Sequence, residues 1–418
     1  MAIYYVDEIM GRGKTSAMIN HINASGEEQR FLVIVPYLTE VDRILEACAG
    51  REFVTPFEKG GKLRSIKRLI AEGRNIVSTH ALFSMFDYEV VRLLRRQTYT
   101  LVLDEVPMAI SVYPISHYDI VSVLKFGLAR YESDGRLVWL KPDYNGAFSN
   151  YMASIKTGGL YHFNDWLWIQ TMSRDIFTAF RDIYILTYLF EDQIQRCYFD
   201  MMHLPYYRKY VAGDSPETYR FSDTYEPPKI VDFRPLVHIL DSKRMNQIGS
   251  RRGSLSKTWY IKHSERHGER EEIAELRNNV TNFFINITKT KSVFNLWTTF
   301  CEDEEVRINW RKQIAAGGYS KGFLSCNARG TNEFRHKTAL AYLINVYPNT
   351  GVMQFLARRG IHINQDRYAL SEMIQWIWRS AIRDGGEIHL YIPSKRMRTL
   401  LINWMDDVCG GGEKASTS

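Results

Sequence analysis

Short apolar runs alternating with helix-period segments set the pattern of the first half of the chain. Ile3–Val6 leads straight into a glycine-rich turn. Phe31–Val35 is stopped by Pro36, Asn75–Ser78 is followed by Thr79 and His80, and Thr100–Leu103 by Asp104 and Glu105. Between them, Glu40–Ala47 and Leu63–Ile70 carry helical periodicity. Runs this short, bounded by polar or turn residues, predict strands, and their alternation with helices predicts βαβ units on a parallel sheet. A further strand is predicted at Ile183–Leu186, ending in Thr187. In such sheets ligands sit at the carboxyl ends of the strands, where these polar residues fall.

Residues 108–180 break the alternation; the aromatic-rich stretches around Trp166 and Trp168 read as helical elaborations of the first domain. The segment 196–265, with Tyr206-Tyr207, Pro227-Pro228 and the basic stretch Lys243–Lys257, reads as a linker or accessory segment. A second α/β pattern follows over 266–408: helix Glu269–Ile287, strands Val293–Trp297 and Phe323–Cys326, apolar Leu340–Val346, helix Tyr368–Ile382 and strand His389–Ile392. The Gly/Ser/Lys tail over 409–418 is expected to be disordered. The sequence thus predicts an α/β protein with a first domain over 1–195, the connecting segment, and a second domain over 266–408.

With 418 residues the chain is long enough for two or three domains and a large core. Its five cysteines, Cys48, Cys197, Cys301, Cys326 and Cys409, include no C-x-x-C pair, which excludes a zinc ribbon or disulfide framework and fits a reducing cytoplasm. No apolar run approaches the ~20 residues of a membrane span, and the opening residues do not read as a signal peptide. The excess of 54 Lys+Arg over 47 Asp+Glu is compatible with a polyanionic partner and no more than that.

The sharpest chemistry lies in Met10-Gly11-Arg12-Gly13-Lys14-Thr15-Ser16, directly after the first strand. Gly11 and Gly13 let the backbone wrap a phosphate without Cβ clashes. The N–H groups of Arg12 through Ser16, at a helix start, bind the anion. Lys14 reaches the β- and γ-phosphates of ATP, and the Thr15 hydroxyl joins the Mg²⁺ shell. The first glycine of the full phosphate-loop pattern is absent, since Glu8 stands there. Asp104-Glu105 suits the partner acidic element: Asp104 holds the Mg²⁺ shell and Glu105 orients or deprotonates the attacking water. The alternative is a solvated acidic pair ending a strand. Farther on, Gln375, Arg379 and Arg383 recur every four residues and share one face if the segment is a continuous helix. Two arginines so placed can stabilise charge on a γ-phosphate; a plain basic stripe has the same spacing.

Phosphate loop, Asp-Glu strand end and Gln/Arg segment, in this order, resemble superfamily 2 helicases and translocases. That resemblance implies two RecA-like domains with ATP in the cleft between them. Gly11–Thr15 is similar to motif I and Leu103–Val106 to motif II. Val35 through Arg43 resembles motif Ia, with Ser78–His80 as the next strand-end contact. Leu186–Tyr188 resembles motif III, Trp297–Thr299 motif IV, Ser325–Asn332 motif V and Gln375–Arg383 motif VI. By this resemblance Glu105, Gln375, Arg379 and Arg383 are catalytic, and Pro36, Thr79, His80, Thr299 and Arg329 contact nucleic acid. Thr187 couples the two sites. Trp378 stands where the family has Gly, and Arg383 follows Arg379 by four residues where three is usual. The wording of motifs V and VI resembles compact helicase-like ATPases of phage and plasmid replication regions. The function implied is a Mg-ATP-driven helicase or translocase acting on DNA, without sequence preference and without a membrane partner. An RNA-directed ATPase, a packaging motor and an ATP-switched loading protein are the alternatives.

Overall fold

The computed structural model describes residues 1–57, 61–105, 107–114, 116–156, 158–164, 167–227, 232–265, 270–303, 308–326 and 333–410. It divides into two compact units, 1–226 with 349–363, and 227–348 with 364–418.

The first unit is built on a seven-stranded sheet. Its strands are β1 (Ala2–Asp7), β2 (Arg30–Val35), β3 (Ile76–Thr79), β4 (Tyr99–Asp104), β5 (Asp182–Thr187), β6 (Tyr206–Ala212) and β7 (Arg220–Ser222). Across the sheet the order is β7-β6-β1-β5-β4-β2-β3. Every pairing is parallel except that of β6 with β7, which is antiparallel. Period-two alternation sorts the side chains onto two buried faces. Ile3, Leu32, Ile34, Leu101, Leu103, Ile183 and Ile185 face one core. Val6, Phe31, Val33, Val102 and Leu186 face the other, beneath helices α1 (Lys14–Ala24) and α2 (Leu38–Ala47). Burial on both faces explains why these strands read as continuous apolar runs.

The 108–180 region is largely antiparallel where helices are predicted around Trp168. Leu160–Phe163 pairs with Leu167–Thr171, which pairs with Ile110–Val112. Trp168 lies in a strand and stacks on His162 across it, at 4.5 Å between ring centres. Such cross-strand aromatic contacts are what a pleated surface favours; Trp166 lies outside the described residues. Helix Thr350–Ala357, from late in the chain, packs into this same unit, with Phe355 edge-on to Tyr161 and Phe163.

The second unit holds a four-stranded sheet of β8 (Val237–Ile239), β9 (Asn295–Thr298), β10 (Ala339–Tyr342) and β11 (Ile388–Tyr391). Its order is β8-β11-β10-β9 and all its pairs are parallel. Both units are therefore α/β with parallel sheets. The predicted linker over 196–265 contributes β6 and β7 to the first sheet and β8 to the second. β7 and β8 are three-residue edge strands, too short for alternation to show, and β6 mixes apolar and polar residues without a regular period. The predicted strand at Phe323–Cys326 is reduced to one parallel bridge between Trp297 and Phe323. Among the described residues no helix is long and apolar enough to cross a membrane.

Candidate nucleotide site

The carboxyl ends of β1, β4 and β5 meet at one edge of the first sheet, and the loop 8–13 joins β1 to α1 there. Gly11 and Gly13 both take φ near 82°, the left-handed region where a Cβ is costly. Gly13 is the residue that caps α1, and no side chain caps the helix there. The first N–H groups of α1 thus have no side-chain acceptor from the cap. The ammonium of Lys14 turns into the loop, donating to the carbonyls of Glu8 at 2.5 Å and Ile9 at 3.2 Å. Burial pulls its pKa down, opposed by the charges of Glu105, Asp7 and Asp104.

The Thr15 hydroxyl lies 3.5 Å from an Asp104 carboxylate oxygen. Burial, reinforced by the neighbouring Glu105, pushes the Asp104 carboxyl up to about 6. Glu105 holds φ at 66°, with its N–H donating to Leu186 at 3.0 Å. Its Oε2 is buried without a hydrogen-bond partner. A non-glycine residue in this conformation costs on the order of 1–3 kcal/mol, and such outliers cluster at functional sites. The phosphate-loop residues, Thr15 and Asp104 therefore fit a magnesium–triphosphate group: open helix N–H groups, a hydroxyl beside a carboxylate, and an unpaired acid next to it. Ser16 lies half-buried in the first turn of the helix.

Other strand-end residues fall around this centre. His80 binds the Asp104 carbonyl through Nε2 at 3.0 Å, so it ties the end of β3 to the end of β4. Thr79 and Pro36 are half-buried at the ends of β3 and β2. Thr187 is buried and accepts from the Gln193 amide at 2.8 Å.

In the second unit the predicted long helix stops early. It spans Gln365–Ile377, Trp378 closes it, and Ala381–Asp384 forms a separate 3-10 turn. Gln375, Arg379 and Arg383 therefore do not share one helical face, because Ser380 is extended between them. Gln375 is buried and donates to Ser371 at 3.1 Å, Arg379 is buried, and Arg383 is half-buried. Thr299 is fully buried, so its side chain is not on a surface that a nucleic-acid strand touches. Arg329 lies outside the described residues, as does most of the predicted motif V.

Residues not singled out from the sequence complete the centre. Asp7 accepts the N–H groups of Leu189 at 2.7 Å and Phe190 at 3.2 Å, locking β1 to the turn after β5. Glu8 accepts from the Val211 N–H at 3.4 Å, and burial raises its pKa. Glu40 pairs with Arg43 at 2.9 Å, and both charges bear on Asp104. The strand-end rule that selects Asp104-Glu105 also points to Asp7-Glu8, whereas Glu40 and Arg43 look in sequence like an ordinary helix-surface pair.

Comparison with known proteins gives four findings. Residues 231–405 match the family described as the YonV C-terminal Rossmann-like domain. The chain is 37% identical over 417 residues to the SPbeta prophage-derived protein YonV of Bacillus subtilis (strain 168), covering 96% of this chain and 98% of that one. Among solved structures it is similar at 10% identity to S. tokodaii Xpd4, with a TM-score of 0.47 over 96% of this chain and 94% of that one. It is similar, again at 10% identity, to S. cerevisiae Dbp5 bound to RNA and ADP BeF3, with a TM-score of 0.44 over 98% of this chain and 83% of that one.

Proposed function

The chain belongs to the family of the prophage protein YonV, and from that premise we propose that it is an ATP-hydrolysing motor acting on nucleic acid, with DNA as its track. One observation carries the reading: the loop with Lys14 inside it, the Thr15–Asp104 contact and the unpaired Glu105 Oε2 share one sheet edge. In this reading the loop N–H groups and Lys14 hold the phosphates of ATP, while Thr15 and Asp104 hold Mg²⁺. The metal supplies neutralisation of phosphate charge. Glu105 is the general base: its unbonded carboxylate oxygen is free to take a proton from water, and its backbone is anchored to Leu186. The acid next to it, Asp104, is disfavoured as an anion until a cation is near.

The nucleic-acid half of the proposal rests on motif order, on the paired α/β units and on the modest positive charge. Lys243, Arg244, Arg251, Arg252 and Lys257 are all exposed in the second unit and suit sequence-independent phosphate contacts. Thr187, bonded to Gln193, is the coupling residue proposed between the ATP site and the track. Arg379, supported by Arg383, is proposed to stabilise phosphate charge during hydrolysis. The test is the ATPase rate of the full chain alone and with single-stranded DNA, duplex DNA or RNA. Stimulation by DNA above RNA is expected. Hydrolysis that no polymer stimulates overturns the motor assignment, and absence of hydrolysis overturns the enzyme.

A further inference from the structure

Tyr219 rests on the phosphate loop. It lies in the 213–219 connection between β6 and β7, and that connection is fastened to α1. The Asn20 side-chain amide donates to the carbonyls of Pro216 and Tyr219, at 2.9 Å each. A Cβ built on Gly13 would run into the Tyr219 ring, so the ring lies directly on the backbone that opens the helix. The ring is half-buried, with part of its surface on the core beneath α1 and part open to solvent.

The sheet order gives this position a meaning. A triphosphate seated on the loop has its terminal phosphate toward the acids, and Asp104 and Glu105 stand on the β5-β4 side of β1. Its nucleoside must then leave the loop on the opposite side, where β6 and β7 lie. Tyr219 is the aromatic that this side presents against Gly13. Building on the nucleotide reading above, we propose that Tyr219 receives the base of the bound nucleotide by stacking. Stacking engages the π face of a base and not its hydrogen-bonding edge. The recognised class is therefore a purine nucleoside triphosphate, with adenine and guanine bound similarly and pyrimidines more weakly.

The experiment is calorimetric binding of Mg²⁺-ATP and of Mg²⁺-tripolyphosphate to the full chain and to Tyr219→Ala, Tyr219→Leu and Tyr219→Phe. Tyr219→Ala and Tyr219→Leu should weaken ATP roughly 10- to 100-fold, the usual worth of one base–aromatic stack. Tripolyphosphate, which has no base, should bind these variants as it binds the parent, and Tyr219→Phe should keep ATP affinity. Tyr219→Leu retains bulk against Gly13, so it separates stacking from simple packing. Equal losses for both ligands, or unchanged ATP binding in the alanine and leucine variants, overturn the proposal. A parent chain that binds neither ligand overturns the nucleotide reading on which it rests.

Discussion

Asp104→Asn should stabilise the ligand-free protein while abolishing magnesium-dependent turnover. The Asp104 carboxyl is raised from 3.8 to about 6, by burial first and then by Glu105. A displacement of that size corresponds to about 3 kcal/mol against the ionised folded state. The residue as a whole is half-buried, so about 1–3 kcal/mol is the expected range after screening. The sign follows from linkage. Because the folded pKa lies above the unfolded one, the folded state binds the proton more tightly. The cost of Asp104 is therefore fully present above the folded value of about 6, shrinks as pH falls through it, and disappears below the unfolded value of 3.8.

Asparagine has the same shape and can still accept from Thr15, but it carries no charge at any pH. Melting temperatures of parent and variant, followed from about pH 8 to about pH 4, give the comparison directly. The variant should melt several degrees higher at the alkaline end, at roughly 2–4 °C per kcal/mol for a unit of this size. The gap should close on acidification, and saturating Mg²⁺-ATP should stabilise the parent more than the variant. A variant that melts below the parent near neutrality, or a gap that widens toward acid, would refute the claim that Asp104 is held as a disfavoured anion.

Lys14→Ala should remove ATP turnover and leave the circular-dichroism spectrum and melting of the chain essentially intact, because burial already disfavours that ammonium; wild-type turnover in the folded variant contradicts the phosphate role. Glu105→Gln should bind ATP with near-parental affinity and hydrolyse it ~10²–10⁴-fold more slowly, the usual worth of a general base; single-turnover kinetics decides, and lost affinity with unchanged turnover speaks against the assignment. Arg379→Ala should keep nucleotide binding and lose the DNA-stimulated part of the ATPase, measured by comparing rates with and without DNA; unchanged stimulation removes Arg379 from the mechanism. Binding to single-stranded DNA should weaken with salt at a slope of about −0.7 per phosphate contact, read from titrations at several salt concentrations, and a flat response points to a protein partner.

The first unit was readable because its physics is local. Ile3–Val6, Phe31–Val35 and Thr100–Leu103 are buried on both faces, so each appears as an unbroken apolar run ended by a polar or turn residue. The loop after β1 was readable for a related reason: glycines with positive φ leave a compositional mark. Tyr219 left none, since its approach to Gly13 joins positions about two hundred residues apart in sequence, an approach made only when β6 pairs with β1. The strands around Trp168 were hidden by aromatic residues, which suit buried helices and pleated sheets alike. The spacing of Gln375, Arg379 and Arg383 suggested one continuous helix. A helix that closes at Trp378 and an extended Ser380 separate the three, and no glycine or proline announces that stop.

The electrostatics at the sheet edge support the ligand site proposed above over a structural acidic cluster. In a structural cluster the lysine would be the counter-ion of the acids and every buried oxygen would be bonded. Here Lys14 gives its hydrogen bonds to the Glu8 and Ile9 carbonyls, and Glu105 keeps a buried oxygen without a partner. Lys14 is pulled below its ordinary pKa and Asp104 is pushed above its own, so burial disfavours both charges. Glu105 adds a left-handed backbone at a position that is not glycine. None of these features stabilises the first unit. A ligand carrying anionic phosphates together with a divalent cation opposes each electrostatic cost at its source: anion against Lys14 and the helix N–H groups, cation against Asp104. The free energy withheld from folding at this edge is then available for binding that ligand, which is why mutations here should uncouple stability from activity.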